Sequence, residues 1–146
     1  MTDPTGPTAP DGASTPGGGA AVGVVRVVRT SRPVPLGAVV SVFARGGGDP
    51  TSRRDGAGWW FAMLTPDGPV TLRLAPDAAA GEVVGEAWGA GAAWVLEQVP
   101  DLLGERDDPT GFVPHHPPVA DAWRRFPGWR VPRSGQVVQA LVASVI

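Results

Sequence analysis

Residues Gly58–Leu74 read GWWFAMLTPDGPVTLRL. Val70, Leu72 and Leu74 alternate with Thr71 and Arg73, the period-two pattern of an antiparallel strand buried on one face. Pro66, Asp67 and Gly68 supply turn chemistry between this run and GWWFAML, so the stretch is expected to fold as a hairpin. Trp59 and Trp60 are neighbours on its first strand and must point to opposite faces. One belongs to the core. The other either packs under a helix or faces outward, where Arg53, Arg54 and Arg73 would supply a positive groove beside a ring for stacking bases.

Working outward, VVRVVRT (Val24–Thr30) is short and β-branched and predicts a first strand, broken by Pro33 and Pro35. LGAVVSVFA (Leu36–Ala44) places Leu36, Val39, Val40 and Phe43 on one helical face, although its β-branched content also suits a strand. GGGDP (Gly46–Pro50) is a turn, and GEVVGEAWG (Gly81–Gly89) is one more strand. From Ala90 the period changes: Trp94, Val95, Gln98 and Val99 share a helical face over 91–99, until Pro100 interrupts it and Leu102 and Leu103 form a short anchor. Residues 24–104 therefore predict an α+β domain, an antiparallel sheet of four to five strands with two helices. Such a domain has little interior, and the chain's six tryptophans, four of them within residues 24–104, are a large aromatic complement.

On either side the composition shifts. Residues 1–23 are Gly/Pro-rich with almost nothing apolar to bury, which predicts a disordered tail. They lack the basic start and apolar run of a signal peptide. ERDDPTGFVPHHPP (Glu105–Pro118) carries three turn signals and is assigned as a linker. Val119, Ala122, Trp123 and Phe126 then mark an amphipathic helix with Pro118 in its first turn. A second helix starts near Ser134 and shows Val137, Val138, Leu141, Val142 and Val145 with no closing residue before Ile146. Residues 119–146 are thus expected to be the truncated start of an all-helical domain. Apolar surface on Val137–Ile146 would favour self-association.

Charge is uneven. Residues 1–75 hold seven Arg against five acids, residues 76–120 one Arg against eight, and residues 121–146 four Arg against one Asp. Lys is absent, and nothing is basic enough to announce a nucleic-acid surface by itself. With no Cys there is neither a disulfide nor a thiolate metal site, which suits a cytoplasmic protein. No apolar stretch approaches the ~20 residues of a membrane span. His115 and His116 are adjacent loop residues without further ligands at zinc spacing. Glu82 and Glu86 share a strand face too far apart for a dyad, and Asp107 and Asp108 shape a loop before Pro109. The Gly46–Gly48 run is no phosphate loop. No catalytic residue, metal or cofactor is assigned.

In order along the chain, GDPT (Gly48–Thr51), GWWFAMLTPDGPVTLRL, EVVGEAWGAGAAWVLEQVPDLLG (Glu82–Gly104), DDPTGF (Asp107–Phe112) and HPPVADAWRRFPGWRVPRSGQVVQALVASVI (His116–Ile146) resemble the front part of actinobacterial DNA-3-methyladenine glycosylase II, of the helix-hairpin-helix class. The resemblance covers nearly everything from Val24 onward. It implies an N-terminal domain like half of the TATA-binding-protein fold. Two helical domains would follow, carrying an LPGxGxxTA-like loop that grips a DNA phosphate and an aspartate that assists base loss. Neither is present here, and Asp121 lies in the wrong segment for that aspartate. The implied function is base-excision repair: an alkylated purine is flipped out of double-stranded DNA and its N-glycosidic bond hydrolysed, without metal or redox cofactor. Arg124, Arg125, Arg130 and Arg133 are the candidate contacts to backbone phosphates, with solvated surface as the equal alternative. The other reading is a stand-alone nucleic-acid- or protein-binding module. In either case the chain alone is expected to be catalytically silent.

Overall fold

The computed structural model describes residues 23–145; all but Gly23 of the expected tail, and Ile146, lie outside the described residues. Strands β1 (Val24–Arg29), β2 (Ser52–Asp55), β3 (Gly58–Thr65), β4 (Gly68–Asp77) and β5 (Glu82–Gly89) form one antiparallel sheet in the order β1-β5-β4-β3-β2. From the edge strand β1 the chain crosses through helix α1 (Leu36–Val40) to the opposite edge at β2. It then returns strand by strand until β5 pairs with β1. Helix α2 (Ala92–Leu102) follows, then α3 (Pro117–Arg125) and α4 (Val137–Val145). The α+β class and the five-stranded antiparallel sheet agree with the sequence pattern.

The hairpin forms where the pattern places it. Thr65 pairs with Gly68 across Pro66 and Asp67, and the positive φ falls on Gly68 (122°), where no side chain resists it. The Thr65 hydroxyl donates to the Gly68 carbonyl at 2.8 Å and tightens the turn. Val70, Leu72 and Leu74 are buried together with Val28, Phe61, Val83 and Ala87 on one sheet face. Leu36 and Val40 of α1 and Val95, Leu96, Val99 and Leu102 of α2 cover that face. Among the described residues, no helix contributes buried residues to the other face.

Three elements depart from the sequence reading. Strand β2, SRRD, has no apolar residue and no alternation, so pattern reading passes over it. It is specified by its surroundings: as an edge strand it needs one partner, and the Asp49 loop sets its start. The Asp49 carboxylate accepts from the Thr51 hydroxyl (2.6 Å), the Arg45 and Thr51 amides (2.9 and 2.8 Å) and the Ser52 hydroxyl (3.2 Å). These bonds, led by the Thr51 hydroxyl, hold its carboxyl well below the usual range. Helix α1 is also shorter than expected and tightens into a 3-10 turn at Ser41–Phe43. The Ser41 hydroxyl there donates to the Ala38 carbonyl at 3.2 Å, among β-branched residues with modest helix propensity.

The third departure is α2, which does not stop before Pro100 but runs on to Leu102. Proline has no N–H for the Leu96 carbonyl, and its ring crowds that carbonyl, at a cost of about 3 kcal/mol in a helix interior. Continuing the helix buries Leu102 and Leu103, each worth about 1.5–3 kcal/mol, so the balance favours continuation. The stranded carbonyl also finds a new donor. Arg26 Nη1, reaching from β1, lies 3.0 Å from Leu96 O. Arg26→Met is therefore expected to cost about 1.5–3 kcal/mol in urea unfolding, in keeping with a hydrogen bond from a charged donor. In a Pro100→Ala background, where the helix supplies its own N–H, the same substitution should cost less than half as much. Equal penalties in the two backgrounds would sink this account.

Candidate functional site

The paired tryptophans part as strand geometry requires. Trp59 turns to the helix-covered face, where its ring stacks on Phe61 with centroids 6.1 Å apart and planes 9° from parallel. Trp60 turns to the bare face and stacks on Trp88 of β5 at 5.5 Å and 17°. The guanidinium carbons of Arg53 and Arg73 lie over the Trp60 ring, 5.2 and 5.7 Å from its centroid. Arg54, next on β2, pairs in register with Trp59 and not with Trp60. The positive groove beside an exposed ring thus reduces to Arg53 and Arg73, and both already sit on the ring. A nucleobase would have to displace one of these partners to stack on Trp60.

Two glutamates of the bare face are taken up as well. Arg73 forms an ion pair with Glu86, and Arg29 lies 3.0 Å from Glu82. Each glutamate thus has its own arginine, and the two do not act as a pair. His115 and His116 lie exposed just ahead of α3. Among the described residues no group of three or more His, Asp or Glu side chains is placed to hold a metal ion.

The four candidate phosphate contacts separate into two kinds. Arg124 and Arg125 are exposed on the last turn of α3 and share Asp121, at 3.4 and 3.0 Å. Arg133 is exposed too. Arg130 is not: its side chain is 0% exposed, the one fully buried charge among the described residues. Its guanidinium forms an ion pair with Glu105 and donates to the Arg32 carbonyl at 2.7 Å. Its candidacy as a surface contact is corrected, because a phosphate outside the protein cannot reach it.

Arg130 is seated by the backbone around it. Gly104, just past the end of α2, has φ +70°, and a Cβ there would come 2.6 Å from that of Arg130. The bare glycine is what lets the arginine stem pass. Glu105 also accepts from the Ser31 amide at 3.1 Å. Asp107 accepts from the Val131 amide at 3.0 Å, Arg32 donates to the Asp107 carbonyl at 2.9 Å, and the Arg133 amide donates to Asp101 O at 2.9 Å. Three separate stretches, 31–32, 101–107 and 130–133, thus meet at one polar knot. The knot was hard to foresee, because Arg130 carries the same charge as Arg124 and Arg125. What distinguishes it is its setting in FPGWRVPR, between prolines and next to Trp129 and Val131, a stretch that does not suit a solvated helix face.

The last helix stands apart from the sheet. A cavity of about 820 Å³ separates the covered face, at Phe43, Phe61 and Leu72, from the Gln139, Ala140 and Ser144 side of α4. The Gln136 amide donates to the Leu64 carbonyl at 2.7 Å. Val137, Val138, Leu141 and Val145 face solvent, each more than 60% exposed. Comparison with protein-family models, with curated proteins and with solved structures returns no match.

The polar knot carries a pH dependence. Burial pushes the Glu105 carboxyl up, but hydrogen bonds from Ser31 and from Arg130, together with the Arg130 charge, outweigh it and hold the group below its ordinary value of 4.5. A carboxyl depressed in the folded state contributes stability above its unfolded pKa, and that contribution is lost as pH falls through the folded value. The urea midpoint is expected to be level in this respect from pH 6 to 8 and to drop below about pH 4.5. Glu105→Gln should start lower at neutral pH and lose less on acidification. A mutant that falls as steeply as the wild type would show that Glu105 is not responsible.

Proposed function

We propose that this chain is the N-terminal scaffold part of a base-excision-repair DNA glycosylase that removes alkylated purines such as 3-methyladenine by hydrolysing the N-glycosidic bond. The observation that carries the reading is the ordered run of segments from Gly48 to Ile146 that resemble that family. Two structural features support it. An antiparallel sheet with helices on one face is the architecture expected of a half TATA-binding-protein-like domain. Helix α4 turns its apolar ridge away from that sheet, as a helix does when its packing partners lie in a further helical layer. On this reading the sheet unit braces the helical domains, and Arg124, Arg125 and Arg133 are left as candidate phosphate contacts. Each would make a salt-dependent, sequence-independent contribution.

Glycosidic cleavage needs a pocket for the flipped base, a carboxylate facing the developing oxocarbenium charge and a grip on the bent duplex. Glu82 and Glu86 of the bare sheet face are tied to arginines, and Glu105 serves the polar knot. The purified chain is therefore expected to release no methylated base from alkylated duplex DNA beyond spontaneous depurination. A polypeptide that continues past Ile146 into a helix-hairpin-helix region should release it. Base release by residues 1–146 that survives repurification would sink the scaffold reading. So would a coding sequence that continues, in every frame, without a helix-hairpin-helix and a following aspartate.

The Trp60–Trp88 stack with its two arginines favours a second reading, a module that binds nucleic acid on the bare sheet face. Binding of a fluorescent duplex that weakens steeply with added salt, and is lost in Arg53→Ala, would support it. Absence of binding at ~50 mM salt would remove it, since phosphate contacts are strongest at low salt.

A further inference from the structure

The geometry points to a latched strap: residues Trp129–Val145 lie across the cavity on the covered sheet face, and Arg130, not the packing of α4, keeps them there. The attachments are unevenly distributed. Arg130 to Glu105 and to Arg32 O, the Val131 amide to Asp107, the Arg133 amide to Asp101 O and Gln136 to Leu64 O all fall within the first eight residues of the strap. Beyond Gln136, among the described residues, α4 makes no hydrogen bond to the sheet unit; Val137, Val138, Leu141 and Val145 face solvent, and Ala140 and Val142 line the cavity without being buried. Arg130 is the only residue of the strap described as buried.

Such a distribution makes the root of the strap rigid and its far end dependent on the root. A helix held by its own apolar face would stay in place if an ion pair at one end were removed. A helix set off from the sheet by a cavity of about 820 Å³ has no such hold. Gly104 adds specificity, because its missing Cβ leaves a slot for the Arg130 stem at the point where α2 ends. The Arg130–Glu105 pair is thus a positioning device. It decides whether α4 roofs the cavity or swings free of it, while the core of the sheet unit is formed by other residues. This inference holds whether or not the glycosylase reading does.

Hydrogen exchange on the full chain, read by mass spectrometry, tests it. In Arg130→Met the Val131 and Arg133 amides and those of α4 should exchange roughly tenfold faster or more, with the amides of β3, β4 and β5 unchanged. Arg130→Met combined with Glu105→Gln removes both charges and leaves no unpaired charge in the interior, so it guards against simple misfolding of the single variant. It is expected to show the same selective acceleration. Gln136→Ala, which removes the contact nearest α4, should leave the Val131 and Arg133 rates as they are. The proposal is overturned if strap amides keep their wild-type rates in the double variant. It is equally overturned if sheet amides accelerate in step with them, or if Gln136→Ala frees the root as fully as Arg130→Met.

Discussion

A proline inside a helix leaves a carbonyl with no donor, and much of this structure depends on how that vacancy at Leu96 is filled. Arg26 reaches it from an edge strand that pairs only with β5. The same bond therefore lets α2 continue to Leu102 and ties the first strand of the chain to the helix that covers the sheet. Without the continuation Leu102 and Leu103 would leave the core, and Gly104 would not stand where Arg130 passes. A local defect in one helix is thus coupled to the closure of the sheet and to the placing of everything after residue 104. Removing a buried carbonyl's only donor costs more than an average hydrogen bond returns, which is why one arginine has this reach.

Where apolar side chains set the outcome, the sequence was legible. The alternation of Val70, Leu72 and Leu74, the turn at Pro66–Gly68 and the opposite facing of Trp59 and Trp60 follow from strand geometry alone. The helical period of α2 is just as plain. What escaped was decided by polar contacts between distant residues. Strand β2 has no pattern of its own and exists because β3 offers an edge and Asp49 sets the approach. The extension of α2 past Pro100 depends on Arg26, some seventy residues earlier. No local window contains both partners.

The same division runs through the candidate site. Charge and spacing place Arg124, Arg125, Arg130 and Arg133 in one group, yet the fold makes one of them interior. Its neighbours in sequence do not reveal Glu105 or the Arg32 carbonyl, because both lie on other segments. Trp60 shows the reverse. That Trp59 and Trp60 point to opposite faces was legible, though not which of them lies in the core, and the value of Trp60 as a platform depends on what already occupies its ring: Trp88, Arg53 and Arg73 come from three different strands. A residue's type thus narrows its chemistry, while its occupancy by neighbours decides whether that chemistry is free.

The two rims of the sheet are unlike in a way that bears on how the protein behaves in company. One rim, β2, is four residues long and offers Arg53, Arg54 and Asp55 to an approaching chain, so like charges and short length discourage addition of a further strand. The other, β1, is six residues long and mostly valine, with Val24, Val25 and Val27 each at least half exposed. Arg26 and Arg29 are its only charges. Arg29 is held by Glu82, and Arg26 is drawn toward α2 by the carbonyl that Pro100 leaves open. The bond that completes the helix therefore takes a guarding charge away from the most adhesive border of the sheet. Intramolecular order and resistance to clumping are set against each other at a single side chain.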